Sequence, residues 1–139
     1  MITWLTGNSG AGKTTLAKNY QQKHPNAIIL DGDEMRSSIS EGLSFSPDDR
    51  HMNNIRIAKL AKVLERQGFD VIISVIAPLA ATRMMIDEVI SCNWVYLKRT
   101  LPVRENYIYE EPKGYFTLDV DNLTVEKECT LLMNHLIYD

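Results

Sequence analysis

Short, continuously apolar runs alternate along the chain with longer stretches in which apolar residues recur every three or four positions. Ile2 to Thr6 reads as a first β-strand, stopped by the glycines that follow, and a helix from Lys13 to about Lys23 ends near Pro25. Ala27-Ile28-Ile29-Leu30 forms a second strand that ends at Asp31. Val71 to Ile76 is apolar throughout, as expected of a central strand covered on both faces. Trp94 to Leu97 supplies a fourth strand and Tyr115 to Val120 a weaker fifth, with Trp4 and Trp94 in the core. Between strands two and three lies the best-marked helix. Ser46 is placed to cap it, Pro47 suits its first turn, and Asp48 and Asp49 favour the positive end of its dipole. Ile55, Ala58, Leu60, Ala61, Val63 and Leu64 make its apolar stripe, Lys59, Lys62, Glu65 and Arg66 its solvated face, and Gly68 its end. A last helix begins near Thr124 and carries Leu131, Leu132, Leu136 and Ile137. Strands alternating with helices predict an α/β fold: a five-stranded parallel sheet between two helical layers.

Composition narrows the class without choosing a function. The 139 residues, 45% hydrophobic and 24% charged, suit a single domain over 1–139 rather than a disordered or fibrous chain. A net charge of −3 argues against a nucleic-acid polymer or an anionic membrane as partner, so any anion must be held locally. Cys92 and Cys129 are too few for a metal quartet or a disulfide framework and are expected to be reduced. His24, His51 and His135 lack ligand spacing, so no structural metal is expected. Neither a leader pattern nor a long apolar run is present, and the expectation is a soluble, cytoplasmic protein.

The first strand-to-helix turn carries the strongest chemical signal. Gly7-Asn8-Ser9-Gly10-Ala11-Gly12-Lys13-Thr14, followed by Thr15, fits G-x-x-x-x-G-K-[ST] in the context that pattern needs. The glycines let successive amides curl around phosphate oxygens, and the helix adds its positive end. Lys13 is then the mobile cation for the β- and γ-phosphates, and the Thr14 hydroxyl a ligand for Mg²⁺, with ATP as the nucleotide. The guanine-reading Asn-Lys-x-Asp is absent and the chain is short for a large ATPase, which leaves a small kinase as the natural class.

The acceptor side is expected at the ends of strands two and three. Asp31-Gly32-Asp33 places carboxylates beside the phosphate loop, where one accepts the proton of an attacking hydroxyl or holds a water of the Mg²⁺ shell; the same dipeptide is also a common turn. Arg36, Arg50, Asn53 and Arg56, interleaved with Phe45, are suited to an anionic, ring-bearing substrate, although arginines on helices are often simply solvated. Ser74 is either pocket lining or a buried strand serine.

The order and spacing of these segments resemble the adenylylsulfate (APS) kinase family. The resemblance rests on Gly7-x-Ser9-Gly10-Ala11-Gly12-Lys13-Thr14-Thr15-Leu16-Ala17, Leu30-Asp31-Gly32-Asp33-x-x-Arg36 and Phe45-Ser46-x-x-Asp49-Arg50-x-x-Asn53. Ser74-x-Ile76-x-Pro78 with Arg83, Val95-Tyr96-Leu97, Tyr109-Glu110-x-Pro112, Leu118-Asp119 and Asp121-Asn122-Leu123-x-Val125-Glu126 extend it over most of the chain. It implies a P-loop kinase that moves the ATP γ-phosphoryl group to the ribose 3′-hydroxyl of APS, with Mg²⁺. It also implies that Asp31 assists the hydroxyl, that Arg36, Arg50 and Asn53 hold the acceptor, that Phe45 stacks on its adenine and that Ile76 lines the pocket. Many relatives dimerise, and a homodimer is left open. The sequence departs from the family in four places. The lid segment after the fourth strand is missing, since Leu101 to Ile108 runs almost directly into Tyr109; Arg99 and Arg104 are candidates to replace its cations. Ala77, Met52 and Ile55 stand where the family has serine, glutamate and arginine. An open site leaves two alternatives, another nucleotide-linked acceptor such as cytidine diphosphoramidate, or a binding module without turnover.

Overall fold

The computed structural model describes residues 1–100 and 108–138. Five strands, β1 (Ile2–Thr6), β2 (Ala27–Asp31), β3 (Asp70–Ser74), β4 (Asn93–Lys98) and β5 (Phe116–Asp119), form one sheet in the order β2-β3-β1-β4-β5. All four pairings are parallel, with Leu5 and Asp31 both in register with Ser74. The phosphate-loop strand is therefore central, and the chain crosses from one side of it to the other between β3 and β4. Open α/β sheets bind ligands at such a reversal, beyond the carboxyl ends of the strands.

Helices cover both faces. On one side α3 (Pro47–Arg66) and α4 (Ala80–Val89) lay Ile57, Ala58, Ala61 and Ile86 against Ile2, Trp4, Val71 and Ile73. On the other, α1 (Lys13–Lys23) and α5 (Val125–Tyr138) bring Leu16, Ala17, Tyr20 and Leu132 onto Leu5, Ile72, Val95 and Leu97. β1 is buried at every position because it is sandwiched twice. The expected three-layer α/β/α fold with a five-stranded parallel sheet is the observed one.

Local signals set the α3 boundaries. The Ser46 hydroxyl accepts the Asp49 amide at 3.2 Å and Pro47 opens the helix. At the other end Gly68, with φ 93°, sends its amide to Glu65 while Phe69 bonds back to Leu64.

Several expectations are corrected. Val63 is 48% exposed and does not belong to the apolar stripe, whereas Lys62 and Glu65 are half-buried. β3 stops at Ser74, not Ile76: the Val75 carbonyl accepts Trp4 Nε1 at 3.1 Å and the Ile76 carbonyl accepts Thr6 Oγ1 at 2.5 Å, so side chains replace the ladder. Tyr115 precedes β5 and stacks on Trp94, and Val120 begins a 3₁₀ turn. Two helices were not foreseen, α4 and the short α2 (Gly32–Arg36) that begins directly after Asp31.

Candidate active site

The loop from Gly7 to Thr14 hangs between the end of β1 and the start of α1. Backbone space and conformation both call for Gly7: its φ is 154°, and a Cβ there would lie 2.6 Å from the Leu97 carbonyl oxygen of β4. Gly12, at φ 92°, turns the chain into α1, whose first amides have no intrahelical acceptors and face the loop's concavity. Lys13 is buried and its Nζ donates to the carbonyls of Gly7 and Asn8, both at 2.9 Å. Burial pushes its ammonium down to about 8, the charge of Asp31 opposing that shift. Arg99 reaches over from the end of β4 and donates to the Gly10 carbonyl of the phosphate loop; Arg104 lies outside the described residues.

The next group joins three elements. Thr14 Oγ1 donates to Asp31 Oδ1 at 2.8 Å and lies 3.1 Å from Ser74 Oγ. Thr14 has one proton, so Ser74 is the donor in the second bond. Three oxygens from α1, β2 and β3 thus meet under the loop, and Ser74, left open by the sequence, faces this cluster. Hard oxygen donors with a single carboxylate are the set Mg²⁺ takes when phosphates and waters complete its shell, so the residues fit that ion. No cluster of three or more His, Cys, Asp or Glu suited to a metal occurs among the described residues.

Beyond β2, the end of α2 and the start of α3 assemble a basic, aromatic corner. Phe45 is 70% exposed, with the Arg36 guanidinium 4.4 Å and that of Arg50 5.8 Å from its ring centre. Arg36 donates to the Ser44 carbonyl at 2.8 Å and Arg50 Nε to the Phe45 carbonyl at 3.0 Å, leaving most of both donor forks unused. Burial and the neighbouring Arg50 charge disfavour the charged form of Arg36, with Asp49 opposing, a strain an arriving anion would relieve. Asn53 is buried and its Oδ1 has no partner among the described residues. Asp33 is exposed in the first turn of α2, and Arg56 is diverted to the Ile39 carbonyl at 2.8 Å.

The opposite wall was only partly legible. Buried Arg83 donates to the carbonyls of Ala77, at 2.7 Å, and Glu110, at 2.6 Å. Its guanidinium also lies 5.5 Å from the ring of Tyr109. The Tyr109 hydroxyl sits 2.8 Å from Thr6 Oγ1, which itself holds the half-buried Ile76. Ala77 adopts φ 45°, a left-handed conformation unusual for a residue with a Cβ.

A groove of about 330 Å³ leads away from the loop between Ala11, Gly12, Thr15, Arg99, Val120, Asp121, Val125 and Glu128. The sequence reading missed it, because Glu128 belongs to no motif.

A phosphate cradle at the first βα turn, with hydroxyls and a carboxylate gathered below it, defines a protein of the P-loop kinase fold. Within that class the chain belongs to the adenylylsulfate kinase family, whose model matches residues 1–119. A probable adenylyl-sulfate kinase of Bacillus subtilis is 36% identical over 122 residues, covering 83% of this chain and 60% of the relative. The chain thus spans about three fifths of the length of such curated relatives. The Mycobacterium tuberculosis APS kinase in complex with AMPPNP and APS superposes with a TM-score of 0.87 at 25% identity, covering 98% of this chain and 96% of the other. A hexameric APS kinase from Thiobacillus denitrificans gives a TM-score of 0.82 at 26% identity over 99% of this chain and 28% of that one.

Proposed function

We propose that the chain is an ATP-dependent kinase that phosphorylates the ribose 3′-hydroxyl of adenylylsulfate. The observation that carries this reading is the 2.8 Å contact between Asp31 and Thr14, which sets a carboxylate able to accept a proton beside the phosphate cradle. The relative bound to AMPPNP and APS supports the choice of both nucleotides.

In this reading Gly7 to Thr15 hold the triphosphate through backbone amides, and Lys13 leaves the two loop carbonyls for the β- and γ-phosphates. Thr14 and Asp31 would hold Mg²⁺, the former directly and the latter through water, and the ion would supply positive charge beside the transferring group. Asp31 orients the acceptor hydroxyl and takes its proton as the oxygen bonds to the γ-phosphorus and the bond to the bridging oxygen breaks, releasing ADP. Arg36, Arg50 and Asn53 grip the acceptor's anionic bridge and ribose, with Asp33 at the rim, Phe45 stacks on its base, and Ile76 closes the pocket floor. Ser74 acts from the other side of Thr14. Arg99 supplies charge on the donor side.

Free Cys92 and Cys129 suit a reducing compartment, which favours action in the cytoplasm. Among the described residues no helix is long and apolar enough to cross a membrane. ADP release in the presence of ATP and Mg²⁺ is the test, with APS, cytidine diphosphoramidate and other nucleotides as acceptors. ADP formation that depends on APS is expected. ADP formed only with a cytidine acceptor, or nucleotide binding without any acceptor-dependent ADP, would overturn the assignment.

A further inference from the structure

The groove beside the phosphate loop contains a buried carboxylate that no described residue pairs. Glu128, on the first turns of α5, is 7% exposed and lines the groove floor. No hydrogen bond or ion pair reaches its side chain from any described residue. Its neighbours explain why. Arg99 is committed to the Gly10 carbonyl, and Asp121, the other acid of the groove, accepts the Thr100 amide at 2.9 Å. Burial accordingly raises the pKa of Glu128. A first-turn carboxylate helps its helix most cheaply when it faces water; this one faces a cleft, at a desolvation cost that favours a role in binding.

We propose that Glu128 reads the base of the phosphoryl donor, accepting a hydrogen bond from the exocyclic amine of adenine. The inference rests on the reading that the donor's phosphates occupy residues 7–14, and it deepens that reading by assigning the base selection. A nucleotide anchored in the loop sends its sugar and base past Gly12 and Thr15 into the groove, where Val120 and Val125 offer apolar contact and Arg99 a planar cation. The groove's polar floor is an acceptor, so it demands a donor from the base. Adenine has an amine at position 6; hypoxanthine and guanine have a carbonyl there, which would face the carboxylate oxygen to oxygen.

The test is calorimetric binding of ADP and inosine diphosphate, without acceptor, to the wild type, Glu128→Leu, Glu128→Ala and Glu128→Gln. The wild type is expected to bind ADP at least about tenfold more tightly, the scale of one hydrogen bond to a charged group. In Glu128→Leu the ratio falls to within about threefold, and Glu128→Gln, which keeps an acceptor oxygen, retains part of the preference. Both Leu and Ala variants should melt higher than wild type in the absence of nucleotide, because a buried uncompensated carboxyl is gone. Glu128→Ala gives the same readout should leucine disturb the helix. An unchanged ratio in both variants, a wild type indifferent to the base, or no ADP binding at all overturns the proposal. Because no acceptor is present, the ratio can change even if APS is the wrong acceptor, and can stay fixed even if it is the right one.

Discussion

Asp31 and Lys13 sit side by side, and their substitutions should part cleanly. Asp31→Asn keeps the shape and the bond from Thr14 but loses the proton acceptor. Transfer should drop at least about a thousandfold while ATP affinity stays within a few-fold, as acceptor-dependent turnover and equilibrium binding would reveal. Comparable turnover would remove Asp31 from its role. Lys13 gives a pH signature instead. Its pKa lies near 8 in the folded protein and at 10.5 when exposed. Below pH 8 the ammonium is charged in both states and folding bears its burial. From about 8 to 10.5 the unfolded chain holds a proton that the folded protein has released, so this group adds stability as pH rises. Lys13→Met should therefore be more stable than wild type at pH 7, with the gap closing by pH 10.5; urea titrations at the two pH values check this. At this scale the loop was readable because its motif is contiguous in sequence, even though Gly7 also answers a close approach of β4. Ser74 was not, since a strand serine gains meaning only from the Thr14 and Asp31 side chains that other elements bring to it.

Elements were readable in proportion to how plainly their apolar faces repeat. α3 announced itself by a cap, a proline and a terminal glycine, and Ser46→Ala should destabilise the fold by about 1 kcal/mol, measured by urea denaturation. A loss near zero would mean that the Ser44 hydroxyl, 3.1 Å from that of Ser46, takes over the cap. α4 escaped notice because Thr82 and Arg83, polar by type, are buried on it while Met84 and Met85 are exposed, inverting the usual pattern. Thr82 settles its burial by pairing with His51 Nδ1 at 2.7 Å, a contact no periodicity predicts. α2 is five residues long and begins with glycine, so local propensity favours a turn there. The β4–β5 connection has only 17 residues, Arg99 to Tyr115, and Glu110 within it is tied to Arg83.

For the molecule as a whole, the strand order β2-β3-β1-β4-β5 brings the ends of β1, β2 and β3 together at the phosphate loop, and the apolar pattern alone does not fix that order. That pattern does predict the parallel, three-layer architecture. Arg83 joins the segments after β3 and β4 by binding carbonyls at Ala77 and Glu110. No carboxylate pairs with it among the described residues, so it acts as a donor fork and not as half of an ion pair. Arg83→Met leaves two carbonyls without that donor and should cost about 2–4 kcal/mol. Amide exchange should rise at residues 108–115 before global unfolding does. Uniform loss of protection across the sheet would instead mean that the arginine supports the core and not this strap.

Lys13 lends the phosphate loop a further property. By spanning the Gly7 and Asn8 carbonyls, the ammonium acts as an internal placeholder, holding the hollow open in the curvature a polyphosphate needs. Nucleotide arrival is then an exchange of guests rather than a moulding event, and amides of the hollow should gain protection from deuterium only once a nucleotide is added.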